Sequence, residues 1–270
     1  MLKHRLIPNV ILNDGNVVQS VNFRHTNVIG NAITAVDFFN SWAVDEIIVL
    51  DVSRHTDNRP QFHKIIRGLS KRCFVPLTVG GWIKDTKEIQ QLLKEGADKV
   101  SINTEAVNNP DFITESARMF GSQCIVVSVD IRKNELNQYE VFIDRGKKAT
   151  GLHPVEWARK IEKCGAGEIL LTSIDHDGTR KGYDLELLKQ VCESVTIPVI
   201  AFGGVGEWQD LVDGIKLGKA DAVSAANIFH YTEHSTYNAK EYMIKAGLNV
   251  RMPRFYKLPT PRMPKYNEIY

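Results

Sequence analysis

Asp130 closes an apolar run, Ile125-Val126-Val127-Ser128-Val129, and a carboxylate delivered by such a run can serve as general acid or base. It can equally anchor a loop by capping neighbouring backbone N–H groups. Asp51, Asn103, Thr172, Asp175, Asp177 and Asn227 stand at or just beyond the ends of other apolar runs. The stretch Asp175-His176-Asp177-Gly178-Thr179 is polar and turn-forming, suited to phosphate or hydroxyl groups or simply to a long turn. Two glycine pairs, Gly80-Gly81 and Gly203-Gly204, each end an apolar run and precede a helical segment. There, backbone N–H groups can face an anion without side-chain obstruction, although glycine also merely permits a tight turn.

The elements that must position these residues alternate. Strands are expected at Arg5–Ile11, Glu46–Asp51, Val75–Val79, Asp98–Ile102, Cys124–Asp130, Glu168–Thr172, Val199–Phe202 and Asp221–Ser224. Continuous runs such as Ile47-Ile48-Val49-Leu50 suit strands buried on both faces of a parallel sheet. Helical periodicity falls between them, at Ala32–Trp42, Phe62–Lys71, Asp85–Lys94, Pro110–Met119, Pro154–Lys163, Asp184–Ser194, Glu207–Leu217 and Asn238–Ala246. Eight strands alternating with eight helices in 270 residues predict a single α/β domain, a (β/α)8 TIM barrel. Tyr139–Ile143, Asp144-Arg145-Gly146 and Lys147-Lys148 read as an inserted hairpin after the fifth strand.

The chain also echoes itself. Glu46-Ile47-Ile48-Val49-Leu50 returns as Glu168-Ile169-Leu170-Leu171-Thr172 at an offset of 122. Val79-Gly80-Gly81 returns as Phe202-Gly203-Gly204, and Ala97-Asp98-Lys99-Val100-Ser101 as Ala220-Asp221-Ala222-Val223-Ser224, both at 123. An internal half-barrel repeat accounts for this, and paired glycine turns would suit a ligand with a phosphate at each end. The barrel is expected to span residues 1–252. The remaining 253–270 form a Pro-rich basic tail: Arg251–Tyr270 holds four of the ten prolines and five Lys or Arg against one acid. A loosely ordered terminus is the simpler reading of that tail; a partner-binding arm using Phe255, Tyr256, Tyr266 and Tyr270 is the other.

Arg5, Glu46, Lys99 and Glu168 stand near the starts of strands one, two, four and six. Pointing inward, they would form a ring of two cations and two anions where barrels normally stack Val, Ile and Leu. Buried ions are tolerable when mutually paired. Spacing alone favours a salt-bridge plug over a gate on a central passage.

Composition excludes other classes. Thirty-four Lys and Arg against 32 Asp and Glu leave a net charge of +2, too little for a dedicated nucleic-acid binder. There is no apolar run of membrane-spanning length and no secretory leader pattern. Cys73, Cys124, Cys164 and Cys192 are 51, 40 and 28 residues apart without a Cys-x-x-Cys, so the cytoplasm is the expected compartment. Neither a metal site nor a cofactor is expected: His230 and His234 lack an accompanying zincin pattern, and there is no G-x-G-x-x-G, Walker A or G-x-S-x-G. No cysteine sits in a nucleophile context, so the chain is not itself a glutaminase.

Longer motifs carry a resemblance. Arg5-Leu6-Ile7-Pro8, Asp14-Gly15-Asn16-Val17-Val18, Val21-Asn22-Phe23, Gly96–Asn103, Phe120-Gly121-Ser122-Gln123, Gly165–Ser173 and Asp177-Gly178-Thr179 resemble the cyclase subunit of imidazole glycerol phosphate synthase. The similarity covers residues 1–252. It implies a (β/α)8 barrel that binds a glutaminase against its floor and carries ammonia through its interior. The ammonia then meets a bis-phosphorylated aminoimidazole precursor in histidine biosynthesis. By the same resemblance Arg5, Glu46, Lys99 and Glu168 match gate residues, which reverses the preference for a plug, and Asp98 matches a glutaminase contact. Gly81, Asn103, Thr104, Asp177, Gly178, Gly203, Gly204 and Asn227 become candidate ligand or phosphate contacts, and Asp130 the second of two catalytic aspartates.

The first aspartate is replaced by Ile11, in Asn9-Val10-Ile11-Leu12, where the family typically reads Cys-Leu-Asp-Val. Isoleucine transfers no proton. Gln19 replaces a lysine, Trp82 a third glycine, Phe202 a serine and Asn227 a phosphate-site serine. This division resembles a divergent branch associated with acetamidino modification of surface-polysaccharide sugars. That resemblance implies a glutaminase partner, an N-acetyl sugar amidotransferase as third protein, and a barrel acting as conduit. A cyclase of histidine biosynthesis is the alternative.

Overall fold

The computed structural model describes residues 3–230 and 234–254. Strand β1 (Arg5–Asn13) runs through the centre of the sequence's first apolar run and pairs with two other parallel strands. The remaining barrel staves are β4 (Ile47–Asp51), β5 (Leu77–Gly80), β6 (Lys99–Ile102), β7 (Ile125–Lys133), β10 (Glu168–Ser173), β11 (Val199–Phe202) and β12 (Ala222–Ala225). They pair in parallel in the order β1-β4-β5-β6-β7-β10-β11-β12 and back to β1, which closes the barrel and leaves no edge among its staves. A path leaving β1 at Asn9 and following the partner register through all eight strands returns eight residues nearer the N-terminus, the shear of a (β/α)8 barrel.

Helices cover the outside: α1 (Ala32–Ser41), α2 (Arg59–Ser70), α3 (Thr86–Lys94), α4 (Thr104–Asn108), α5 (Asp111–Phe120), α6 (Pro154–Lys163), α7 (Leu185–Cys192), α8 (Trp208–Lys216) and α9 (Ser235–Lys245). Their starts follow local chemistry. Asn31, Asp85 and Asp184 accept a hydrogen bond from a first-turn N–H, Glu207 and Asp210 make a reciprocal capping box, and α6 opens on Pro154. The larger apolar core lies between staves and helices, and a second cluster lies inside the barrel: Ile7, Ile11, Val18, Ile48, Val126, Leu170, Ile200, Phe202 and Ala222.

Sequence and structure differ in instructive places. Residues 14–30, assigned no strand from sequence, form an antiparallel hairpin, β2 (Asn16–Val21) and β3 (His25–Gly30): Asp14 and Gly15 at positive φ turn β2 back on β1, and Asn22 and Phe23 at positive φ turn β3 back on β2. The expected hairpin after β7 is present as β8 (Tyr139–Ile143) and β9 (Lys148–Ala149). The second helix starts three residues before the expected Phe62, with Pro60 in its first turn, and the short α4 was not expected. The last helix begins at Ser235 rather than Asn238.

Half-barrel symmetry is visible in the turns. Gly81 and Gly204 have φ of +109° and +115°, and a Cβ on either would fall 2.4 and 2.1 Å from the carbonyl oxygens of Asp51 and Gly182. Asp98 accepts a hydrogen bond from the Leu77 N–H at 2.8 Å, as Asp221 does from Val199 at 3.0 Å. The tail residues Phe255, Tyr256, Tyr266 and Tyr270 lie outside the described residues.

Candidate active site and ion ring

The four charged residues that sequence placed at the strand starts meet. Arg5 Nη1 lies 2.8 Å from Glu46 Oε2 and 3.0 Å from Glu168 Oε1; Lys99 Nζ lies 2.9 Å from Glu46 Oε2 and 3.1 Å from Glu168 Oε2. Each cation thus touches both anions, and the circuit alternates in sign. Thr78 Oγ1 donates to the other Glu46 oxygen at 2.6 Å, which completes the coordination of the most deeply buried member. Asp98 sits beside this ring at the head of β6.

Strand alternation and register stack the inward side chains above the ring. First come Ile7, Thr78, Val126 and Ile200; then Ile48, Ser101, Leu170 and Ser224; then Asn9, Gly80, Ser128 and Phe202. Leu50, Asn103 and Thr172 follow, and Ile11 and Asp130 reach the mouth. The interior therefore mixes apolar and uncharged polar side chains in about equal number, bounded by four charges below and by the carboxyls of the mouth above.

A cavity of about 840 Å³ opens at the mouth, lined among others by Ile11, Gly81, Trp82, Asn103, Thr104, Asp130, Arg145, Asp177 and Phe202. Asp130 is buried there. The Asn103 amide donates to its Oδ2 at 3.1 Å and to the Ser128 carbonyl at 3.0 Å. Burial pushes the Asp130 carboxyl up to about 7, against the opposing hydrogen bonds of Thr172, Ser128 and Asn103, with the nearby Asp177 charge adding to the rise. A carboxyl poised near neutrality is suited to both giving and taking a proton. Thr104 Oγ1 accepts from the Asp144 N–H at 3.1 Å, so it ties the hairpin after β7 to the head of α4.

Asp177, Gly178 and Asn227 converge on the first hairpin. Ser20 Oγ donates to Asp177 Oδ2 at 2.6 Å, the Asn227 amide donates to the Ser20 carbonyl at 3.3 Å, and a Cβ at Gly178 would lie 2.3 Å from that same carbonyl. The backbone N–H of Asn22 bonds the Asp177 carbonyl at 2.9 Å. These contacts clamp β2–β3 across the mouth. Burial also raises Asp177, to about 6, while Ser20 and the Phe23 N–H oppose the rise.

The two glycine turns have become unequal. Gly203 and Gly204 line a separate cavity of about 210 Å³ with Arg180, Val205 and Asn227, the position after strands seven and eight where such barrels commonly seat phosphate. At the other turn Trp82 holds φ +59°, a left-handed conformation costly for a bulky residue. Its indole N–H donates to the Ser53 carbonyl at 3.1 Å; Arg145 Nη1 reaches the same oxygen at 3.3 Å, with its guanidinium 5.8 Å from the indole centroid. Sequence reasoning missed Arg145, although the turn that carries it was legible. It also missed Arg24, Arg54, Lys84 and Lys147, which line the large cavity.

Among the described residues no group of three or more His, Cys, Asp or Glu could hold a metal. His230 packs on Phe39 and His234 on Trp42. No helix of the described residues is long and apolar enough to cross a membrane.

The histidine biosynthesis protein family matches residues 5–235. A protein of Vibrio vulnificus (strain YJ016), provisionally named imidazole glycerol phosphate synthase subunit hisF2, is 51% identical over 252 residues, covering 93% of this chain and 92% of the relative.

Proposed function

The chain belongs to the histidine biosynthesis protein family, as an imidazole glycerol phosphate synthase cyclase-like barrel, and within it we propose that it is the ammonia-conducting subunit of a glutamine-dependent amidotransferase complex. A glutaminase docks on the floor near Asp98 and releases ammonia at the ring of Arg5, Glu46, Lys99 and Glu168. Neutral ammonia enters an uncharged interior far more cheaply than ammonium, whose desolvation is prohibitive. The acceptor reaction belongs to a third protein, an N-acetyl sugar amidotransferase acting in acetamidino modification of a surface-polysaccharide sugar, in the cytoplasm. The mouth retains a seat for a phosphorylated small molecule. Residues 1–252 form the working barrel, and 253–270 serve as an accessory tail.

One observation carries this reading: the ion ring is closed and complete, whereas on β1 the acid position opposite Asp130 is occupied by Ile11. The test supplies the purified barrel with free ammonia and the bis-phosphorylated aminoimidazole intermediate, and separately with its glutaminase. Little or no ring closure, together with faster glutamine hydrolysis on complex formation, is expected; appreciable cyclisation defeats the proposal.

The cyclase alternative draws support from Asp177. This second carboxyl lines the same cavity as Asp130, and burial holds it near 6. On that reading Asp177 stands in for the lost aspartate, and Asp177→Asn would abolish cyclisation.

A further inference from the structure

We propose that Asn9 forms a holding site for one ammonia molecule midway along the barrel; the proposal rests on the conduit reading above. Asn9 is completely buried, and neither its Nδ2 nor its Oδ1 has a hydrogen-bond partner among the described residues. Its register fixes where it points: it pairs with Ile48 and lies two residues from Ile7 and Ile11 on the same strand face, all three members of the cluster inside the barrel. The amide therefore faces the interior, about halfway between the ion ring and Asp130. Ser101, whose hydroxyl is also buried and unpartnered, lies in the adjacent layer. Gly80 shares the layer of Asn9 and puts no side chain into it.

Buried polar groups are almost always hydrogen-bonded, so two orphans facing one interior call for a small partner. Ammonia fits the donor set. Its lone pair accepts from Nδ2–H, its N–H groups donate to Oδ1, and the Ser101 hydroxyl takes a further bond. The site is neutral, which matters chemically. A carboxylate at this depth would favour ammonium and hold it, whereas an amide binds the uncharged form and lets it go. On the same strand Ile11, the next inward residue toward the mouth, is apolar, so Asn9 is the first inward polar group of β1 above the ion ring.

The experiment is a titration of the isotopically labelled barrel with ammonium chloride, followed through the backbone amide signals of Gly80 and Ser101. At alkaline pH, where neutral ammonia is present, both signals should move saturably. They should stay fixed in sodium chloride at the same pH, and in ammonium chloride at mildly acidic pH. Ser101→Ala should weaken the response roughly tenfold, one hydrogen bond's worth. Asn9→Leu should abolish it, and so should Asn9→Cys, a smaller and far weaker hydrogen-bonding side chain that guards against misfolding of the first variant. Movement in Asn9→Cys equal to that of the native chain, or no movement of the native chain in concentrated ammonia, overturns the proposal. Delivery of ammonia from the glutaminase to the mouth is measured separately in the complex. Normal delivery by Asn9→Cys alongside a silent titration of the native chain would sink the holding site and leave the conduit standing. Loss of delivery with an intact titration would count against the conduit alone.

Discussion

The floor and the mouth of this barrel are built from the same strands and treat charge in opposite ways. At the floor, four ionised side chains satisfy one another within 2.8–3.1 Å and leave no charge unpaired. At the mouth, two carboxyls are buried without cation partners among the described residues and shift their protonation instead, to about 7 and about 6. Mutual pairing makes buried charge tolerable in the first arrangement; in the second, desolvation moves the titration of the carboxyls toward neutrality.

The sharpest way to break the contrast is to remove one ring member. Glu46→Ala strips a partner from Arg5, Lys99 and Thr78 at once and should cost about 3–5 kcal/mol, read from urea unfolding. Replacing Lys99 and Glu168 together by Met and Leu should cost less than either single change, because no charge between those two is then left buried alone. Equal or additive losses would mean the circuit is not cooperative.

At the mouth, the pH dependence carries a definite sign. Asp130 binds its proton more tightly folded than unfolded, so its contribution favours the native state below the unfolded pKa near 4. That contribution is lost as pH rises toward 7, by up to on the order of 4 kcal/mol. Asp177 acts in the same direction over a narrower window ending near 6. Asp130→Asn should flatten the stability profile between about pH 4 and 7; an unchanged slope would show that the carboxyl is better solvated than its burial implies.

Two further changes sharpen the comparison. Ile11→Asp combined with Trp82→Gly should restore measurable ring closure with free ammonia, since a positioned acid or base contributes about 100-fold or more. The smallest effect is expected from Ser20→Ala, which removes the 2.6 Å bond to Asp177. It should cost about 1 kcal/mol and speed amide exchange across residues 16–30; unchanged exchange would show that Asn227 and Gly178 hold the hairpin without it.

How much of this was legible depended on contrast with the background. Charges at 5, 46, 99 and 168 stand out because the strands around them are otherwise apolar, and their meeting follows from barrel closure. Asp130 was legible for the same reason. The hairpin over residues 14–30 was missed because Val17 and Val18 break the alternation that marks a half-buried strand, although Asp14-Gly15 carried the turn signal. The roles of Asp177, Gly178 and Asn227 in clamping Ser20 were invisible, since all three act on a segment about 150 to 200 residues away. Asn9 gave no signal of its own. Its significance appears only when the pairing register shows which way it points.

The alternating circuit at the floor has one more consequence. Its two positive and two negative members sum to zero net charge. Pores lined by a single sign of charge enrich one class of ion and repel the other. On the conduit reading, a collar without net charge would offer neither class compensation for shedding its hydration, so sodium, chloride and ammonium alike would be held back by their own solvation.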